Sequence, residues 1–438
     1  MEIGISIKQR LFQIAEIIHL RVFGHAMSDE MRKFLGNLSW SFFGGIIAAG
    51  IMFAVNILAG RWLGPEEYGK YHIVLALGQV FVIPMLMGMN TSAAYHIAKT
   101  SLQMKDAIKN TATFFVLLST LFFALLFLIL LPLFSAQHDT GFFAVIFAVA
   151  LSFFYFFRAI FQGFQCIKEL SLLDILGMVS IAISFAILFW IIPIEKDFRV
   201  LVYSFLIGYV VFVAIAVIKL SQFSIMKLNL SVLKMLWHYG MFAVAGSAAG
   251  VLLGSADKLI LAQYLGSEVV GVYSAYLLAS TMLFSQLVQM FISAFFPAVS
   301  ALHRKDLVVG KVLSISKWSA PIVFVASIPI VYVVIMLFGE RYAASLSYVI
   351  LFSLATAFSV SYQIKMWFLN AEGVRGVRAT VIGALFFGCF SLILNIILVP
   401  LYSIYGAVIA LIISSVLLDI YFSRKIITIV SYERNTEY

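Results

Sequence analysis

Four charged residues lie in or beside long apolar stretches, and their chemistry is the first clue to function. Arg158 and Lys365 each follow an apolar run, whereas Asp257 and Lys258 lie inside one. If such runs cross a membrane, each deep cation costs roughly 2.5–3.5 kcal/mol, so it has a function or extends to the interface. Basic side chains bind anions through charge-assisted hydrogen bonds, and a buried carboxylate can take up a proton.

Arg158 and Lys365 occupy matching positions in two similar stretches. Residues 152–161 read SFFYFFRAIF and residues 359–368 read SVSYQIKMWF, at an offset of 207. We predict that both cations contact the anionic part of a substrate, at equal depth in two halves of the molecule. Anchoring of helix ends by basic residues is the alternative interpretation.

Asp257 follows a face of small residues at helical spacing. We predict that this carboxylate couples transport to H⁺ or Na⁺, with no other cofactor, and that Lys258 contacts an anion. The alternatives are that Asp257 pairs with Lys258 or with a cation of a neighbouring helix, or lies near water. Close helix packing is the ordinary explanation for the small-residue face, whose members are Gly240, Ala243, Ser247, Gly250 and Gly254.

Other residues complete the predicted binding site. Arg61 is a candidate anion contact where cargo is released, with interfacial anchoring beside Trp62 as the alternative. We predict that four polar or aromatic residues line a cavity: Tyr155, Gln162, Tyr362 and Asn56. For Asn56, a hydrogen bond between helices is the alternative. The two cysteines, Cys166 and Cys389, have no metal-binding or disulfide spacing.

The composition identifies the elements that hold these residues. The chain is 63% hydrophobic and only 11% charged, whereas soluble domains are about 25% charged. Apolar runs of about 20 residues cross a bilayer as helices. We therefore predict an all-α polytopic membrane protein with twelve helices near residues 36–60, 71–97, 110–134, 142–165, 172–193, 200–220, 235–264, 271–300, 314–338, 345–369, 378–400 and 405–428.

The distribution of lysine and arginine predicts the orientation. Alternate loops and the two termini hold 23 of these residues, against 5 on the opposite side. The bias places both termini in the cytoplasm and explains the +9 net charge as an insertion signal, so nucleic acid is not a predicted partner. Residues 1–35 have the pattern of a cytoplasmic amphipathic helix, not of a removed signal peptide.

A second repeat indicates duplication. Residues 61–71 (RWLGPEEYGKY) and 263–273 (QYLGSEVVGVY) share L-G-x-E-x-x-G-x-Y at an offset of 202. Six predicted helices separate the two copies, and an even number preserves orientation, so the halves are parallel repeats about an axis along the membrane normal. The predicted segments after the N-terminal helix are a six-helix bundle, a cytoplasmic linker, a second six-helix bundle and a tail, at 36–221, 222–234, 235–430 and 431–438.

Three stretches resemble one known family. R-W-L-G-P-E-E-Y-G-K-Y, G-S-A-D-K-L-I-L-A-Q-Y-L-G at 254–266 and V-G-V-Y-S-A-Y at 270–276 are similar to the polysaccharide transporters of the multidrug/oligosaccharidyl-lipid/polysaccharide (MOP) flippase superfamily. The resemblance, from about residue 34 onward, implies a MATE-like fold of two six-helix bundles in the bacterial inner membrane. It implies alternating-access flipping of polyprenyl-pyrophosphate-linked oligosaccharide for O-antigen, capsule or exopolysaccharide synthesis, beside polymerase and chain-length proteins.

Two other functions compete with this interpretation. A multidrug exporter of the same superfamily needs carboxylates in its binding lobes, but the first helix has none between Gly36 and Gly60. A membrane polysaccharide polymerase or glycosyltransferase needs a sizeable outer loop with catalytic groups, and the predicted outer loops are short. The sequence therefore favours a transporter of an anionic substrate over an exporter of cations and over an enzyme.

Overall fold

The computed structural model describes residues 29–133, 138–192, 195–220, 229–289 and 306–436. Nearly all of them are α-helical, and this part of the chain contains twelve helices that are long and apolar enough to cross a membrane. The predicted all-α polytopic fold is therefore confirmed. Residues 1–28 of the predicted N-terminal helix lie outside the described residues.

The spanning helices are numbered α1 to α12, and two of them are broken into parts a and b. The first six are α1 (Asp29–Leu63), α2a (Pro65–Leu86), α2b (Met89–Lys99), α3 (Leu102–Leu130), α4 (His138–Gly163), α5 (Ile167–Trp190) and α6 (Phe198–Leu220). The second six are α7a (Leu230–Gly254), α7b (Ala256–Leu265), α8 (Ser267–Gln289, with a π-helical turn at Leu278–Met282), α9 (Asp306–Phe338), α10 (Leu346–Ala371), α11 (Val374–Tyr402) and α12 (Ile404–Thr436).

Local chemistry explains where several helices begin and end. α2a begins at Pro65, earlier than predicted, because proline has the dihedral angle that a first helical turn requires. Left-handed residues at Met87 (φ 45°) and Gly88 (φ 71°) end it. α7a begins inside the predicted linker because the Asn229 side chain caps it, accepting the N–H groups of Ser231 and Val232 at 3.0 and 3.2 Å.

The order of helix packing is the same in both halves of the chain. In the N-terminal bundle α1 packs on α5, α5 on α6, α3 on α4 and α4 on α6, and the corresponding pairs α7a–α11, α11–α12, α9–α10 and α10–α12 pack in the C-terminal bundle. Between the bundles, α2a packs on α8, and the equivalent pairs α1–α9 and α7a–α3 are both in contact. This pattern is that of a parallel pseudo-repeat with a two-fold axis between the bundles.

Several tyrosines are buried in the core, and large apolar side chains cover the perimeter. Tyr68, Tyr273 and Tyr276 are fully buried where α2a and α8 meet their bundles. Large apolar side chains are instead exposed on the outside, as at Ile129 (73%) and Ile191 (74%). A soluble protein would bury such side chains, whereas contact with lipid tails requires them.

Candidate transport site

The two copies of L-G-x-E-x-x-G-x-Y meet at one end of the molecule, here named the repeat end. The opposite end, where α1 begins and α12 ends, is the terminal end. The first glycines of the motif, Gly64 and Gly266, have φ and ψ of 86° and 171° and of 85° and 179°. This backbone region is open essentially only to glycine, so both copies use it for the same sharp turn between helices.

The second glycines of the motif form a reciprocal contact between the bundles. A Cβ atom on Gly69 would lie 1.7 Å from the carbonyl oxygen of Ser267, and one on Gly271 would lie 1.8 Å from that of Pro65. The two contacts are equivalent, because the offset of 202 residues relates Gly69 to Gly271 and Pro65 to Ser267. α2a and α8 therefore cross backbone to backbone on the pseudo-two-fold axis, in a self-complementary interface.

Further contacts close the repeat end. The Tyr342 hydroxyl donates to the Gly60 carbonyl at 2.9 Å, and the Phe338 ring lies against Gly60 so closely that no Cβ would fit there. The Arg61 guanidinium donates to the Leu337 carbonyl at 3.4 Å. Arg61 thus lies at the seam between the two bundles, not in a cavity.

Two cavities lie below this closure, one on each side of α7a. The first, the inter-bundle cavity, has a volume of about 320 Å³. Its polar lining is contributed by α2, α4 and α7a and contains two amides, one phenol and one hydroxyl: Gln79, Asn90, Tyr155 and Ser247. No charged side chain of the described residues lines it.

The second cavity, the C-bundle cavity, has a volume of about 480 Å³ and lies among α7, α8, α10, α11 and α12. Asp257 is its one charged lining residue within the described part of the chain. The rest of its polar lining consists of amides and hydroxyls: Thr281, Ser285, Gln289, Ser359, Tyr362, Gln363 and Thr380. Gly250 lines both cavities, so the two are neighbours across one helix.

The small-residue face of α7a is mostly open, which corrects the expectation of close packing. A Cβ atom on Gly250 or Gly254 of this face, or on the nearby Gly246, would meet nothing within 4 Å. Only Gly240, nearer the terminal end, packs tightly, because the Gly88 break of α2 lies against its backbone. A Gly-x-x-x-Gly spacing that normally admits another helix here borders cavity space.

Asp257 lies just after the break in α7, at the edge of the C-bundle cavity. Its carboxylate is 8% exposed and accepts the Lys258 N–H at 2.8 Å and the Tyr273 hydroxyl. These two hydrogen bonds hold the Asp257 carboxyl group in place beside the helix break. Tyr273 is the last residue of the second motif copy, so the repeat sequence also positions this carboxylate.

Lys258 is buried and donates to a backbone carbonyl. Its side chain is 3% exposed, and its ammonium donates to the Gly254 carbonyl at 2.8 Å. No carboxylate among the described residues lies within ion-pair distance of it, and the alternative of an Asp257–Lys258 pair is not what the structure shows. The ammonium instead satisfies a carbonyl that the helix break leaves free.

Arg158 is paired but accessible. Its guanidinium contacts the Asp174 carboxylate on α5 at 3.0 Å, and 42% of its side chain is exposed. Its Nε atom and one Asp174 oxygen have no hydrogen-bond partner. Tyr155, one turn away on α4, lines the inter-bundle cavity. The accessible part of the Arg158 side chain therefore lies close to that cavity, whereas its Nε atom is buried.

Lys365 is enclosed in an ion pair. Its ammonium contacts the Asp419 carboxylate on α12 at 2.6 Å, with the Lys365 side chain only 6% exposed, and the Ser361 hydroxyl donates to the same carboxylate at 2.7 Å. Neither Lys365 nor Arg158 is among the residues that line the two cavities. The matched positions therefore carry cations of different accessibility.

Comparison with known proteins shows the family. Residues 34–303, more than half of the chain, match the family described as polysaccharide biosynthesis protein. The chain belongs to this polysaccharide biosynthesis family. A relative from Haloferax volcanii, described as a probable low-salt glycan biosynthesis flippase (Agl15), is 26% identical over 84% of this chain and 78% of its own. A membrane protein of Methanocaldococcus jannaschii is 24% identical over 86% of this chain and 80% of its own.

Solved structures show the superfamily fold. An inward-facing multidrug-resistance MATE transporter of the MOP superfamily has a TM-score of 0.64 at 13% identity, covering 90% of this chain and 98% of its own. An outward-facing MATE structure has a TM-score of 0.58 at 15% identity, over 91% of this chain and 96% of its own. The chain therefore belongs to the polysaccharide biosynthesis family, and its fold resembles that of the MATE transporters.

Of the four residues predicted to line a cavity, two line one and two do not. Tyr155 and Tyr362, at matching positions, line the inter-bundle and C-bundle cavities respectively. Gln162 is exposed and lines neither. Asn56 is buried, donates to the Met52 carbonyl at 2.9 Å and accepts the Tyr68 hydroxyl at 3.1 Å. The bond to Tyr68 joins α1 to α2a and corresponds to the alternative of interhelical hydrogen bonding.

Several polar residues of the site were not predicted from the sequence. The Ser255 hydroxyl at the α7 break donates to Gln79 of α2a and joins the bundles. Gln363 donates to Ser285 at 2.8 Å across the C-bundle cavity. One signal in the sequence could have pointed to the contact between Tyr273 and Asp257: Tyr273 repeats Tyr71 at the end of the motif.

We predict that the main role of the Lys365–Asp419 ion pair is to stabilise the folded protein. Asp419→Asn leaves an ammonium uncompensated in a site that is almost closed, and breaking a buried pair costs about 3–5 kcal/mol. We expect a clear fall in the thermal unfolding temperature in detergent. The double variant Lys365→Met/Asp419→Leu should recover most of it, and if its glycan transport is normal, Lys365 does not contact the cargo. Unchanged stability of Asp419→Asn would contradict the structural role.

Proposed function

We propose that this chain moves a polyprenyl-pyrophosphate-linked oligosaccharide from the cytoplasmic to the outer leaflet of a cytoplasmic membrane for surface polysaccharide synthesis. The lining of the two cavities carries this proposal. Amide, hydroxyl and phenol groups suit the many donors and acceptors of a glycan. Among the described residues, the walls of the two cavities contain no cluster of carboxylates that would attract a drug cation. The description of the Haloferax relative as a glycan biosynthesis flippase supports it.

The charge bias supports an orientation with the terminal end in the cytoplasm. Both termini are then cytoplasmic, and the glycine crossing closes the outer side. The cavities would receive cargo from the cytoplasmic leaflet, in the same sense as the inward-facing transporter with a similar fold. The bacterial inner membrane stays a prediction from the sequence resemblance.

Each part of the cargo would meet a different part of the protein. Arg158, whose side chain is 42% exposed, is the proposed contact of the pyrophosphate, which would replace Asp174 as its partner. Lys365, Lys258 and Arg61 would contact it only after conformational change, since each is now bound to a protein oxygen. The polyprenyl tail would remain in lipid.

We propose that the segments 36–221 and 235–430 move as two bodies about the pseudo-two-fold axis and expose the cavities alternately to the two sides. Asp257 is the proposed site of H⁺ or Na⁺ coupling, because it is the charged group of the C-bundle cavity and lies at the α7 break. A polysaccharide polymerase and chain-length proteins are the proposed recipients of the flipped glycan.

A cation-coupled multidrug exporter is the second candidate, and Asp257 in a cavity is the observation that favours it. Proteoliposomes separate the two functions. We expect the purified protein to expose lipid-linked oligosaccharide to a glycosidase added outside, and to leave a trapped cationic dye where it is. Dye efflux without glycan exposure would contradict the flippase proposal, and Arg158→Gln should lower glycan exposure more than Gln162→Ala, its neighbour on α4.

A further inference from the structure

The polar walls of the C-bundle cavity are arranged in advance of any ligand. The Gln363 amide donates to the Ser285 hydroxyl at 2.8 Å, and the hydroxyls of Thr281 and Thr356 lie 3.2 Å apart. These bonds fix the side chains of Gln363, Ser285 and Thr281 in the cavity wall. Such a surface offers oriented donors and acceptors without a full charge.

Charge decides which part of the cargo this cavity accepts. Asp257 is the sole charged lining residue among those the structure describes, and it carries no cationic partner. A carboxylate repels a pyrophosphate, whereas sugar hydroxyls and N-acetyl amides can donate to it. The volume of about 480 Å³ lies within the range of small-molecule sites.

The glycines of α7a determine how much room is left. Gly246, Gly250 and Gly254 line the C-bundle cavity, and a Cβ atom on any of them meets nothing within 4 Å. A longer side chain there would consume cavity volume directly, without displacing the backbone or a neighbouring helix. Because Gly250 borders both cavities, a side chain at that position would obstruct both of them.

We propose that the C-bundle cavity binds the uncharged sugars of the cargo, and that Gly246 and Gly250 set the size of the glycan that the protein accepts. This inference rests on the proposed function and adds to it a glycan subsite separate from the pyrophosphate contact. It assigns binding to Gln363, Ser285 and Thr281, and a size limit to two residues without side chains.

The first experiment compares cargo of two sizes in proteoliposomes. Two lipids are compared: polyprenyl pyrophosphate bearing one N-acetylglucosamine, and the same lipid bearing a neutral trisaccharide. Their flipping is measured with the wild type, with Gly246→Leu, which obstructs the C-bundle cavity alone, and with Ala248→Leu. Ala248 is the control because it lies on the same helix but lines neither cavity, and its replacement by leucine adds only one methylene group less. Leucine is a better helix former than glycine, so folding should be kept.

We expect Gly246→Leu to slow the trisaccharide lipid at least tenfold and the monosaccharide lipid less than threefold, with Ala248→Leu unchanged for both. Equal slowing of both lipids, or no slowing of either, would overturn the size limit. A wild-type protein that flips neither lipid would instead contradict the proposed function, so the two failures can be told apart.

The second experiment measures binding without transport. In a chain with Cys166→Ser and Cys389→Ser, the variant Ser285→Cys is labelled by a neutral maleimide in detergent. We expect the trisaccharide lipid to slow labelling severalfold and bare polyprenyl pyrophosphate to leave it unchanged. Protection by the bare carrier, or by neither lipid, would show that the cavity does not hold sugars.

Discussion

Gly69→Ala is expected to abolish closure of the repeat end and to reduce transport by an order of magnitude. The new Cβ atom would lie 1.7 Å from the backbone oxygen of Ser267, and backbone cannot move away as a side-chain tip can. Overpacking of this kind costs about 1–3 kcal/mol, which changes a two-state population by about 5–150-fold. The state with the repeat end open is therefore favoured, and the cycle stalls there.

The matched control is Gly50→Ala on α1, where a Cβ atom meets nothing within 4 Å. Gly271→Ala should reproduce the effect, because its Cβ atom would meet the Pro65 oxygen in the reciprocal contact. Transport of lipid-linked glycan at equal membrane abundance is the measurement. Activity of Gly69→Ala equal to that of Gly50→Ala would show that the crossing is not part of the transport cycle.

Asp257→Asn is expected to reduce transport at least tenfold while the protein still folds. The amide loses the charge that would bind H⁺ or Na⁺. Its NH₂ group cannot accept a hydrogen bond, so the bond from either the Tyr273 hydroxyl or the Lys258 N–H is lost. Hydrogen bonds to charged groups contribute about 1.5–3 kcal/mol. Initial rates of glycan flipping with and without an imposed ion gradient measure the effect.

Asp174→Asn is the comparison for this prediction, because it removes a carboxylate of similar burial that contacts Arg158 and lines neither cavity. We expect it to transport far better than Asp257→Asn and to retain its response to the gradient. If the two variants have equal activity at equal abundance, Asp257 does not couple an ion to transport.

The spans, their number and the repeat were available from the sequence because each depends on local pattern. Twelve apolar runs give twelve helices, and the motif at residues 61–71 recurs with the same backbone turn at Gly64 and Gly266. What the pattern did not contain was the reason for the repeat. The reciprocal crossing of Gly69 and Gly271 joins residues 202 apart, and no local rule predicts which glycine meets which backbone.

The candidate site was less predictable for the same reason. A small-residue face looks the same whether it borders a helix, as at Gly240, or a cavity, as at Gly250. Lys365 was identified as a cation, but its partner Asp419 lies 54 residues away on another helix. Asn56 was a polar residue in a span that proved to satisfy its own helix and Tyr68.

Accessibility of one cavity position from the two sides of the membrane tests the central claim most directly. The variant Ser247→Cys, in a chain with Cys166→Ser and Cys389→Ser, places a thiol in the inter-bundle cavity. We predict labelling by impermeant reagents from the terminal side alone at rest, and from the repeat side once a lipid-linked oligosaccharide is present. Labelling from both sides at rest, or a response to cationic dyes and not to the glycan lipid, would contradict the account.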